Sequence, residues 1–202
     1  MSAPKLSDSS AGVNVVLLHG IGDTCRLFKH LRPFLEQRGH VVHCLNLVPN
    51  DGRAGLYALA KQVADYVGRA IPGSGHFHLI GFSMGGLVAR YYVQRMDEAS
   101  RVRRLITISS PHRGTWTAYL LCNIGARQMR PGSAFLRDLE RNREALTRAR
   151  FTSIWTPLDL MIVPANSSVV PEANVVRINV THHAAMVRDP RVMLAVEKAL
   201  RS

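Results

Sequence analysis

The stretch LIGFSMGGLVARYYV, residues 79–93, sets a single serine between an apolar run and a helix-like pattern, with glycine at both of its second neighbours. G-x-S-x-G between a strand and a helix is the nucleophile turn of acyl-transfer enzymes. Gly81 and Gly85 lack the side chains that would block so sharp a turn, and Gly86 lets the helix lie close to the sheet. Ser83 then stands at a helix N-terminus. Free N–H groups and the helix dipole there favour the negative charge that develops on an acyl oxygen. A glycine-rich turn with serine as a simple helix cap is the bland alternative, and the partners elsewhere in the chain outweigh it.

Those partners fall in order. HGIG, residues 19–22, closes the first apolar strand. An oxyanion needs one N–H from the residue after the nucleophile, Met84, and a second from the loop after that strand. Ile21 is the candidate, because Gly20 and Gly22 let the backbone turn and approach. His19 reads as a brace for this loop rather than as a catalytic group. The acid should follow the strand after next, where TSIWTPLDLMIVP offers Asp159; capping the turn after Pro157 is its other use. The base must follow the acid. That removes His19, His30, His40, His43, His76 and His78, and His112 comes too early. His182 and His183, in NVTHHAAMVRDPRV, remain, and position alone leaves both open.

These groups need a scaffold that gathers strand ends. Short apolar runs (13–20, 40–47, 76–82, 102–110, 152–159, 174–181) alternate with amphipathic ones (26–39, 54–71, 85–96, 190–202). Strict alternation predicts crossover units, a mostly parallel sheet of about six strands, and helices on both faces. The expected architecture is a single α/β domain over 1–202. Residues 1–12 read as a flexible lead-in, and 113–150 as an insertion-like segment near the active site.

Composition bounds the partners. The chain has 202 residues, 47% of them hydrophobic, which suits one globular domain. No apolar run is long enough for a membrane helix. MSAPKLSDSSAG has no signal-peptide core, which points to the cytoplasm. Cys25, Cys44 and Cys122 show no CxxC spacing and read as three thiols in a reducing compartment. The net charge is +12, with RVRR at 101–104 and a dense basic stretch from Arg127 to Arg150. Such a field favours anionic partners, an acidic lipid surface among them. No nucleic-acid module accompanies it. No HExxH or clustered Cys/His set appears, so neither metal nor cofactor is expected.

VVLLHGIGDT, HLIGFSMGGLVARYYV, ISSPHRGT, TSIWTPLDLMIVP and VTHHAAMVRDPRV together resemble the small, lidless bacterial triacylglycerol lipases of the α/β-hydrolase superfamily. The resemblance implies a Ser83–His183–Asp159 triad acting on acyl esters or lipids. It also separates the histidines. In similar lipases the catalytic histidine lies nine residues before the valine of a PRV-like helix start, which from Val192 is His183; His182 stands where that motif usually has glycine. MRPGSAFL, within 117–150, is similar to a region of uncharacterised lipase-like hydrolases; the segment either borders an acyl pocket with Leu120, Leu121 and Met129 or is an ordinary amphipathic packing helix. Thioester hydrolysis, phospholipid or lipid-anchor deacylation and acyl transfer use the same machinery. A non-catalytic binding protein that has kept the fold is the remaining alternative.

Overall fold

A computed structural model describes residues 12–71 and 73–202; the expectation for the lead-in lies, up to residue 11, outside them. Six strands form one parallel sheet: β1 (Asn14–Leu18), β2 (Val41–Leu45), β3 (Phe77–Phe82), β4 (Val102–Ile108), β5 (Arg150–Trp155) and β6 (Asn174–Arg177). Their order is β2-β1-β3-β4-β5-β6. The alternation predicts this parallel sheet, and its order is the minimal α/β-hydrolase architecture that the resemblance implies. The order reverses beside β1 and β3, and the crevice at the carboxyl ends of those strands is where α/β sheets take ligands.

β3 is buried along its whole length, as a central parallel strand must be. Alternate residues feed two cores. Val16, Leu18, Leu79 and Leu105 pack under helices α2 (Leu56–Ala70) and α3 (Met84–Arg95). Val15, Leu17, Ile80 and Ile106 pack on the other face against helices α1 (Leu31–Glu36) and α6 (Pro190–Arg201). Helices α4 (Ile124–Met129) and α5 (Ala134–Arg141) lie in the segment expected to be an insertion.

Two expectations are corrected. The helix read over 26–39 divides into a 3-10 turn, Cys25–Phe28, and the short α1. Pro33 has no N–H to donate and restricts the residue before it, so it is tolerated only in a first turn, and the helix restarts at Leu31. The second correction concerns the thiols. Cys25 and Cys44 form a disulfide, with Cα atoms 5.8 Å apart, while Cys122 is free and exposed. The pair is 19 residues apart in sequence and joins different elements, the turn after β1 and strand β2, so no local spacing announces it. The reading of three thiols in a reducing compartment therefore does not hold. Among the described residues, no helix is long and apolar enough to cross a membrane.

Candidate active site

The turn from β3 into α3 is as sharp as its glycines require. Ser83 has φ +53° and ψ −122°, a conformation that non-glycine residues rarely adopt and that costs on the order of 1–3 kcal/mol. Its N–H donates to the Ile108 carbonyl at 2.9 Å, anchoring the turn to β4. A Cβ on Gly81 would strike the Gly85 carbonyl, and one on Gly86 would strike the Ser110 hydroxyl. Met84 opens α3, so its N–H has no acceptor within the helix. Among the described residues, neither this N–H nor that of Ile21 meets another protein acceptor.

The loop after β1 is held from two sides. His19 is fully buried; its Nε2 accepts from the Leu47 N–H at 3.0 Å, which leaves Nδ1–H to donate to the Gly20 carbonyl at 2.8 Å. Asn50 supplies the other support: its carbonyl accepts from the Gly22 N–H, and its amide donates to the Asp23 carbonyl, both at 2.7 Å. Gly20 sits beneath the serine, where an added Cβ would stand 3.2 Å from Ser83 Cβ.

Asp159 and His183 come together at 2.8 Å, Oδ2 of the carboxylate accepting from Nδ1. The other carboxylate oxygen accepts from the N–H groups of Met161 and Ile162, each at 2.9 Å. Burial alone would raise the Asp159 pKa. The hydrogen bond and charge of His183 and the two N–H groups outweigh it, so the carboxyl lies below its usual range. With Nδ1–H committed to Asp159, Nε2 of His183 is left as an acceptor. The ring packs on Phe82, centroids 4.6 Å apart. His182 is exposed, and its ring forms no hydrogen bond among the described residues.

Ser83, His183 and Ile21 open onto one cavity of about 560 Å³, within the range of small-ligand pockets. Leu120, Leu121, Met129, Leu160, Met161 and Ile162 give it apolar walls. Residues of the 113–150 segment are joined in this lining by 160–162 of the TSIWTPLDLMIVP stretch, in which the sequence pattern singles out Asp159 alone. Leu120 and Leu160 are 83% and 79% exposed at its rim. The structure does not bring His19 or His182 into this lining, and the Met84 side chain is core. Asp23, overlooked in the sequence because it reads as a turn residue, does line the pocket. Burial raises its pKa, opposed in part by the charges of His19 and His183.

Residues 14–143 match the palmitoyl protein thioesterase family. The chain belongs to that family. The thioesterase match takes in the Ser83 turn and the HGIG loop and ends before Asp159 and His183. Among curated relatives, the lysosomal thioesterase PPT2 of Rattus norvegicus is 36% identical over 114 residues, and that of Homo sapiens 35% over 114; each match takes in 52% of this chain and 37% of the relative. The chain thus spans little more than a third of those relatives' length. Among solved structures, Aspergillus fumigatus lipase B superposes with TM-score 0.80 at 17% identity, covering 96% of this chain and 54% of that one. The mature Bacillus licheniformis lipase BlEst2 gives 0.71 at 14%, covering 98% and 95%. These likenesses establish the fold.

Buried histidines give this scaffold a defined acid response. Burial holds His19, His43, His78 and His112 below the usual imidazole range, His78 at about 4. Each is neutral when folded and takes up a proton when unfolded, so their contribution is complete above pH 6.5 and is lost as pH falls from there toward 4. His78 alone accounts for about 3 kcal/mol. The urea midpoint is expected to fall steadily between pH 7 and pH 4.5. A midpoint that stays level over that range contradicts the buried neutral state.

Proposed function

We propose that this protein is an acyl thioesterase in which Ser83, His183 and Asp159 form a catalytic triad. The observation that carries the reading is the His183–Asp159 pair facing, with Ser83, an apolar cavity of about 560 Å³. Family membership supports the thioester; the apolar walls support a long acyl chain. Ser83 Oγ attacks the thioester carbonyl carbon while His183 Nε2 takes its proton. The oxyanion rests on the free N–H groups of Ile21 and Met84. The C–S bond breaks, and the departing sulfur receives the proton from His183. Water, deprotonated by the same ring, then attacks the acyl-enzyme carbonyl; the C–O bond to Ser83 breaks, Oγ takes the proton back from His183, and the acid leaves. Asp159 holds the ring in the tautomer that accepts at Nε2 and stabilises the cation formed.

Leu120 and Leu160 at the rim, with Arg130 lying 4.6 Å over the Tyr119 ring, support a lipid surface as the place where the acyl chain is met, an anionic one given the net charge of +12. The Cys25–Cys44 bond supports an oxidising compartment. The acid-sensitive histidines support work near neutral pH.

The test compares two substrates with the same palmitoyl chain, a thioester and an oxygen ester, on wild type and Ser83→Ala, with the thioester in free form and in anionic vesicles. The expected result is a higher kcat/KM on the thioester, gain from the vesicles, and loss of all turnover in the variant. Preference for the oxygen ester moves the assignment to a lipase. Equal turnover in both proteins removes Ser83 from the chemistry. A folded wild type that turns over neither substrate favours the non-catalytic binding protein.

A further inference from the structure

Four arginines not used at the active site gather at the opposite end of the strands. His78 on β3 pairs in register with Arg104 on β4, and Arg104 with Arg150 on β5. Residues in register on neighbouring parallel strands point to the same face, with strands about 4.8 Å apart. The three side chains therefore form one row across the start of the sheet. Together with Arg103, Thr147 and Arg148 they line a cleft of about 490 Å³.

The cleft is predominantly basic. Among the described residues no carboxylate side chain lines it, and none of its four arginines pairs with an Asp or Glu side chain. Arg103 reaches His76 Nε2 at 2.7 Å, and Arg150 reaches the Ser202 carbonyl oxygen. Arg104 Nη1 and His78 Nδ1 are buried and lack any partner among the described residues. His78 is itself nine-tenths buried, at 6% exposure. Buried polar groups almost always find partners, and the exceptions call for an explanation. The crowding registers in the titration of the groups themselves: burial first, then Arg104 and His40, push His78 down to about 4. Burial and the neighbouring Arg150 lower Arg104.

We infer that this cleft is a binding site for a phosphate-bearing ligand carrying two or more negative charges. Guanidinium groups match phosphate oxygens in paired hydrogen bonds. Four of them around one cleft suit several phosphates or a phosphorylated headgroup, with Arg104 Nη1 and His78 Nδ1 supplying the buried contacts. β4 carries the chain from Arg104 to Ile108, about 13 Å along the strand, so this ligand lies at the end of the sheet away from Ser83. It is separate from the acyl pocket and does not depend on the reading of that pocket. The cleft also joins RVRR to the far end of the 127–150 stretch, two basic runs that the hydrolytic chemistry does not use.

The probe is inorganic tripolyphosphate, titrated calorimetrically into the full chain at physiological salt. One saturable site is expected. The double variant Arg104→Gln/Arg150→Gln should weaken it at least tenfold, and Arg26→Gln/Arg69→Gln, which removes the same charge from exposed positions elsewhere, should leave it within twofold. Absence of a saturable site, or equal losses in both doubles, overturns the inference and returns these arginines to a general basic surface. Because Arg104 is partly buried, the exposed Arg148→Gln is measured beside it; unchanged binding in that variant also overturns the site. Flotation with phosphatidylcholine vesicles, with and without phosphatidylinositol bisphosphate, separates the sources. Recruitment displaced by tripolyphosphate identifies a lipid headgroup; tripolyphosphate binding without recruitment identifies a soluble phosphate ester.

Discussion

His183→Ala is expected to lower kcat/KM for an acyl thioester by about 10³-fold or more, while His182→Ala stays within a few-fold of wild type. The two histidines are adjacent in sequence but differ in surroundings. The His183 ring is fixed by Asp159 at 2.8 Å and by the face of Phe82, and it lines the pocket with Ser83. His182 faces solvent. Asp159 is held just as firmly through the N–H groups of Met161 and Ile162. Asp159→Asn should therefore keep the fold yet lose activity on the order of His183→Ala, because an amide no longer selects the tautomer that accepts at Nε2. Ser83→Ala should be as severe, and the double variant Ser83→Ala/His183→Ala no worse than either single, as the proposed triad requires of groups acting as one unit. Initial rates on one thioester across the five proteins check this. A large loss in His182→Ala with His183→Ala nearly intact would move the base by one residue.

Legibility in the sequence followed the range of each interaction. The turn at Ser83 is local, so glycine spacing revealed it. The strands were legible because parallel strands buried on both faces are written as continuous apolar runs, β3 being buried throughout. β5 was read as starting at Thr152, whereas it starts at Arg150; an exposed arginine at a sheet edge has no strand-like signature. The break before α1 was legible in principle through Pro33, but the amphipathic period ran across it. Pairings that depend on tertiary approach were not legible. Cys25 meets Cys44 only after β2 lies beside β1. Asp23 reaches the pocket because Asn50 draws its loop inward, and Asn50 belongs to a loop with no motif. The basic cleft combines β3, β4 and β5, whose contributing residues lie far apart along the chain. Binary pattern encodes which face of an element is buried, whereas these contacts depend on which elements become neighbours.

Gly85→Ala is expected to cost both stability and activity, and comparison with Gly68→Ala separates the cause from helix propensity. Both glycines lie within helices, α3 and α2, where alanine is favoured by about 1 kcal/mol on propensity alone. A Cβ at Gly68 meets nothing within 4 Å, so Gly68→Ala should raise the unfolding free energy by roughly that amount. A Cβ at Gly85 would collide with the Leu18 carbonyl and stand 2.6 Å from that of His19. These are backbone atoms at the end of a central strand and cannot rotate away. α3 must instead move off β1, at a cost of about 1–3 kcal/mol for the overpacking. The same shift draws Ser83 and the Met84 N–H, carried by α3, away from the Ile21 N–H, carried by β1. The proposed oxyanion site is thereby opened, and kcat/KM should fall by about 10²-fold, as it does when one oxyanion donor is lost. Urea melts and initial rates on the two variants check both parts. If Gly85→Ala is destabilised but fully active, Ile21 and Met84 do not share an oxyanion. If it is as stable as Gly68→Ala, the close contact between α3 and β1 is not present in solution.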